Sequence, residues 1–159
     1  MGNAFMTGTS ENKPGVRELV GETQIVRATH SDIINNYHMC FANATIMPGL
    51  YQIEISGSIE AQHTGASGQN FNIGVPGPSN FLFSLYGKNF QGAPPTGGNY
   101  VVEQISGMSL ATLWNVWFYT SVLNTNQPPS TTGNIVLQVT ATVNLRNLNV
   151  NVKLWRVKI

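Results

Sequence analysis

From Tyr51 to Gln62 the chain alternates without a break: Tyr51, Ile53, Ile55, Gly57, Ile59 and Ala61 fall on one side, and Gln52, Glu54, Ser56, Ser58, Glu60 and Gln62 on the other. A period of two is the period of a β-strand with one face in a core and the other in water. A one-residue slip would bury Glu54 and Glu60, so the register of this strand is fixed by its own residues. A strand of this length needs partners, and the rest of the chain supplies them. Thr23–Thr29 and Ile33–Ile46, separated by a break at His30-Ser31-Asp32, and Phe81–Gly87 and Tyr100–Ile105 read as further strands. Met47-Pro48-Gly49 reads as a turn. Ile135, Leu137, Val139, Ala141, Val143 and Leu145 alternate with polar residues. Leu148, Val150, Val152 and Leu154 do the same, so 135–154 reads as a hairpin reversing at Arg146-Asn147. The apolar set then shifts to Trp155, Val157 and Ile159, which a bulge near Leu154 or a strand covered on both faces would explain.

Three segments, 63–80, 91–99 and 124–134, are uncharged and dense in Pro, Gly, Asn, Ser and Thr, as surface loops are, the first with at most a short strand. Residues 1–21 show no sustained period and read as an extended N-terminal arm, leaving 22–159 as a single antiparallel β-sandwich domain. At 159 residues the chain is long enough for one real core without staples. Its single cysteine, Cys40, excludes an intramolecular disulfide framework. No basic segment precedes an apolar stretch and no 18-residue apolar run occurs, so neither a signal peptide nor membrane insertion is expected.

Only 9% of the residues are charged and the formal net charge is +1. A soluble domain ordinarily carries roughly a quarter of charged residues. Polarity here rests on amides and hydroxyls, and binding to nucleic acid, which needs clustered Lys and Arg, is not expected. Arg146, Lys153, Arg156 and Lys158 form a mild basic cluster at the C-terminus. The arm, with Lys13 and Arg17 against Glu11 and Glu18, lacks the strong basic character of a genome-packaging segment.

No catalytic constellation emerges. His30, His38 and His63 accompany no nucleophile signature, and Glu54 and Glu60 lie six residues apart on one strand face, too far for joint acid–base work. The chain therefore reads as a non-enzyme that needs no cofactor. One weak metal pattern exists. His30-x-Asp32 and His38-x-Cys40 each place two ligand types at i and i+2, which on a strand share a face.

The segment Leu110–Leu123 constrains function most. Read as a strand, it has Leu110, Trp114, Val116, Phe118 and Val122 on one side and Leu113, Trp117, Tyr119 and Leu123 on the other. Both sides are apolar, whereas one face of an antiparallel sandwich normally meets water. Such a strand implies either cover from another element or a subunit interface, and an interface built from Leu113, Trp114, Trp117, Tyr119 and Leu123, with Trp155, is the expectation. Aromatic residues placed in or beside loops, Phe71, Phe90 and Tyr100, are the candidates for stacking on a glycan.

Two passages carry a family resemblance. Pro48-Gly49-Leu50-Tyr51-Gln52-Ile53 is similar to the Pro-x-x-Gly-x-Tyr-x-Phe strand entry of C1q/TNF-like jelly-roll domains, and Gly133–Val139 is similar to their late Ser-x-x-Leu-x-Leu strand. The family's Gly-Asp turn is replaced by Asn144–Asn147. The resemblance implies an all-β jelly roll forming a homotrimer about an apolar axis, a scaffold also found in viral and phage knobs and fibre heads. The resulting expectation is a virion structural protein at the virion surface, a bacteriophage capsid-decoration or fibre-head (host-attachment) module, with residues 1–21 contacting a capsid or fibre protein. Two other readings are a carbohydrate- or receptor-binding C1q-like module on a bacterial or spore surface, recognising a host-surface glycan or receptor, and a small viral capsid shell protein.

Overall fold

A computed structural model describes residues 16–41, 49–76, 82–93, 98–113 and 135–157. Within these residues, eight strands and one short helix follow in the order β1 (Arg17–Arg27), α1 (His30–Ile34), β2 (His38–Phe41), β3 (Gly49–Gln62), β4 (Gln69–Pro76), β5 (Leu82–Phe90), β6 (Val101–Leu113), β7 (Ile135–Ala141) and β8 (Asn144–Val157). They form two antiparallel four-stranded sheets, β1-β8-β3-β6 and β2-β7-β4-β5, and the molecule is a β-sandwich. Pairing is nested: β1 with β8, β2 with β7, β3 with β6 and β4 with β5. Two further ladders, β3 with β8 and β4 with β7, complete the sheets.

The alternation at 51–62 is realised as expected: Tyr51, Ile53, Ile55, Ile59 and Ala61 are buried between the sheets. From the opposite sheet they meet Phe71, Ile73, Val139 and Leu137, and from β8 Leu148, Val150, Val152 and Leu154. Each large side chain fully enclosed in this core contributes about 1.5–3 kcal/mol. Gly57 interrupts the apolar set at φ 147°, where a Cβ would collide with the Asn149 carbonyl oxygen, so only glycine serves there.

Several boundaries differ from the sequence reading. β1 begins at Arg17, so residues 17–21 of the expected arm are paired with β8, while residues 1–15 lie outside the described residues. His30–Ile34 is helical rather than extended, because Thr29 caps it: the Thr29 hydroxyl accepts the Asp32 N–H at 3.3 Å, and Asp32 sits in the first turn. The expected loop at 63–80 contains the eight-residue strand β4. Tyr100–Ile105 and the start of the Leu110 segment are one continuous strand, β6.

The expected hairpin at Arg146-Asn147 does not form. β7 and β8 belong to different sheets, and the chain crosses between them at Thr142-Val143. Asn147 instead occupies a bulge of β8, at φ 52°, where the register against β3 shifts between Ser58 and Glu60. Asparagine tolerates this left-handed conformation better than most residues. Its N–H is satisfied by the Ala28 carbonyl oxygen at 3.1 Å. The bulge expected near Leu154 lies on the facing strand: the register of β1 shifts between Leu19 and Gly21, opposite Trp155 and Leu154. β8 keeps its alternation, so Trp155 stands on the outer face.

Candidate interaction surface

The outer face of the β1-β8-β3-β6 sheet is assembled from four strands of 11–14 residues. Its register can be read row by row. Glu22, Lys153, Glu54 and Met108 stand abreast; the next outward row is Gln24, Asn151, Ser56 and Ser106, followed by Asn149, Ser58 and Gln104. Below them Arg146 and Glu60 pair on β8 and β3, with Val102 beside Glu60 on β6. The middle of the face is thus uncharged and built of small or amide side chains. Charge sits on its flanks, with cations on β8 and carboxylates on β3, and with Arg17 and Glu22 on the edge strand β1.

Neighbouring side chains bind one another across the strands. The Asn151 amide donates to Glu22 at 2.6 Å, and the Gln24 amide to the Asn149 oxygen at 2.8 Å. The Trp155 indole N–H donates to Glu54 at 2.8 Å. Glu60 accepts from Arg146 Nε at 2.9 Å and from the Asn147 amide at 2.7 Å. These two donors, Asn147 foremost and then Arg146, hold the Glu60 carboxyl below the usual carboxylate range. Guanidinium groups cover two aromatic rings of this face: Arg17 lies 4.0 Å over Trp155 and Arg146 3.9 Å over Tyr100. Among the described residues, four of the six exposed large apolar side chains, Leu19, Val26, Val102 and Met108, rim the same surface. A cavity of about 390 Å³ opens beside Glu22, Thr23, Gln24 and Asn151.

Carboxylates committed in this way are hydrogen-bond anchors. Glu54 and Glu60 stand on the outer face as the alternation required, each with its own partner.

The four metal candidates are not brought together. His30 Nδ1 accepts the Leu145 backbone N–H at 2.9 Å, and Asp32 belongs to the helical turn, so His30 and Asp32 do not share a strand face. His38 is fully buried with Nε2 2.8 Å from the Ile33 carbonyl oxygen. Burial holds its pKa below 6.5. Cys40 Sγ donates to the His38 carbonyl oxygen at 3.5 Å, and burial pushes its thiol up to about 12. Among the described residues no group of three or more His, Cys, Asp and Glu side chains could hold a metal ion.

Of the glycan candidates, Phe71 and Phe90 are corrected. They sit on β4 and β5, are 1% and 3% exposed, and pack on each other at 5.9 Å between ring centres. Such rings offer no face to a sugar. Tyr100 is half-buried beneath Arg146. Of the expected interface residues, Trp114, Trp117, Tyr119 and Leu123 lie outside the described residues, Leu113 ends β6, and Trp155 is part of the outer face above. The opposition of β8 cations to β3 carboxylates escaped the sequence reading, because it appears only once β3 and β8 are known to pair.

No helix among the described residues is long and apolar enough to cross a membrane. Neither a protein-family model nor a curated protein matches this chain.

Proposed function

We propose that this chain is a self-assembling structural protein of a virion, a jelly-roll module that decorates a bacteriophage capsid or heads a fibre. The observation that carries the reading is the nested pairing, in which strand k meets strand 9 − k and the sheets come out as β1-β8-β3-β6 and β2-β7-β4-β5. That order is what results when one long antiparallel hairpin of eight strands rolls into two sheets, and double-sheet jelly rolls of this kind recur in viral capsid and lectin domains. Between those two uses, the burial of Phe71 and Phe90 takes away two of the three aromatic rings on which glycan stacking was expected and favours the structural role. The outer sheet supports it further, because its middle rows carry only small and amide side chains, Ser56, Ser58, Gln104, Asn149 and Asn151, so a neighbouring subunit can displace water there without desolvating a charge.

The homotrimer of C1q/TNF-like domains is the assembly this reading expects. Light scattering at high micromolar concentration tests it. A mass of several 17.3 kDa chains is expected, and a monomer would overturn the proposal.

A further inference from the structure

The outer face of the β1-β8-β3-β6 sheet is self-complementary, and we infer that it is the contact between two copies of this chain related by a two-fold axis parallel to the strands. This rests on the self-assembly reading and adds to it a second surface, an isologous contact separate from the one that closes a trimer. Lys153 and Arg146 project from β8, Glu54 and Glu60 from β3, in the same two rows of the sheet. β8 and β3 are the two central strands. Laying a second copy on the face about an axis along the β8–β3 seam sets β8 of each against β3 of the other. Lys153 then stands over Glu54 of the second copy, and Arg146 over its Glu60. The existing Arg146–Glu60 ion pair, 2.9 Å within one chain, becomes half of a four-charge cluster with alternating sign.

The same operation places β1 over β6. Leu19 comes within one row of Met108 of the second copy, and Val26 within one row of its Val102. In the single chain these four side chains are 45%, 50%, 57% and 57% exposed, in the order Leu19, Met108, Val26, Val102. Ser56 and Ser58 meet Asn151 and Asn149 in the centre, where no charge has to be desolvated. Shifting the pairing by one strand would set Lys153 over its own counterpart, so the charge pattern specifies this axis.

Size agrees. Four strands of 11–14 residues span about 19 Å by about 40 Å, about 750 Å² per copy at ordinary strand spacing and rise. A stable interface covers about 800 Å² per partner.

A charge-swap experiment tests the contact on the full chain. One variant carries Arg146→Glu and Lys153→Glu, the other Glu54→Lys and Glu60→Lys, and circular dichroism checks that both fold. Each alone should lose the contact, halving the mass seen by light scattering, and mixing the two should restore it as a one-to-one pair in native mass spectrometry. As a measurement that leaves the charges alone, oxidising a mixture of Ser56→Cys and Asn151→Cys chains should give the mixed cross-linked dimer in excess over either like pair. A wild-type mass that the charge variants leave unchanged, or no excess of mixed cross-link, overturns the inference while the assembly reading stands. A monomeric wild type overturns both.

Discussion

Gly107 of β6 packs directly against the backbone of Leu85 on β5: a Cβ at position 107 would collide with the Leu85 carbonyl oxygen. The two strands are edges of opposite sheets, so this contact closes one side of the sandwich. Nearby, Lys88 and Glu103 join the same strands at 3.5 Å. Backbone cannot swing aside as a side chain can, and Gly107→Ala must pry the edge apart. A loss of about 1–3 kcal/mol is expected, the range for inserting a methyl group into a packed interior. Urea unfolding measures it, and a change under about 0.5 kcal/mol would show that β5 and β6 do not approach this closely.

His38 makes the fold sensitive to acid. The unfolded imidazole titrates near 6.5, whereas burial holds the folded one lower, opposed by the Ile33 carbonyl and by Asp32 and reinforced by Arg27. Between those two values the unfolded chain binds a proton that the folded chain does not, so stability present above pH 6.5 is lost as pH falls below it. The loss runs at up to about 1.4 kcal/mol per pH unit until the folded imidazole itself titrates. Denaturant midpoints from pH 7 to pH 5 should fall more steeply for the wild type than for His38→Gln; parallel curves would refute a buried neutral His38.

What could be read locally was the strand at 51–62, where twelve residues carry the period by themselves, and the strand around Phe83 and Leu85. What could not be read depends on chain ends far apart in sequence. Thr142-Val143, where the chain changes sheets, contains neither Gly nor Pro, so the alternation on either side ran together and the turn was sought at Asn147 instead. Helix α1 is a single turn whose signal, Thr29 followed by Asp32, stands beside Ile33, Ile34 and Tyr37, residues that suit a strand equally well. The metal pattern fell with it, since His30-x-Asp32 shares a face only in extended chain. The interaction surface shows the limit most plainly. Glu54, Glu60, Arg146 and Lys153 were each visible as outward residues, but their opposition arises from a ladder joining residues about ninety positions apart.

Phe90 lies stacked on His63 at 4.5 Å and is packed on Phe71 in the core. Phe90→Ala should therefore cost about 3–5 kcal/mol, as large aromatic truncations in cores do, and should show as a lowered denaturant midpoint. A Phe90→Ala protein of wild-type stability that selectively loses binding on a glycan array would return this ring to the surface and restore the glycan-binding reading.

The N-terminal boundary can be tested by two truncations. β1 pairs with β8 from Arg17 onward, and Arg17 also donates to Gln52 at 2.9 Å while covering Trp155. Removing residues 1–21 strips this stretch from the sheet edge; removing residues 1–15 leaves it intact. The shorter chain loses several strand hydrogen bonds, each with a net contribution of about 1 kcal/mol, together with the Arg17 cover that keeps one face of the Trp155 ring from water. Its urea midpoint should fall clearly below that of the chain starting at Val16. Equal midpoints would mean that residues 16–21 add nothing to the sheet, and the arm would extend to residue 21 after all.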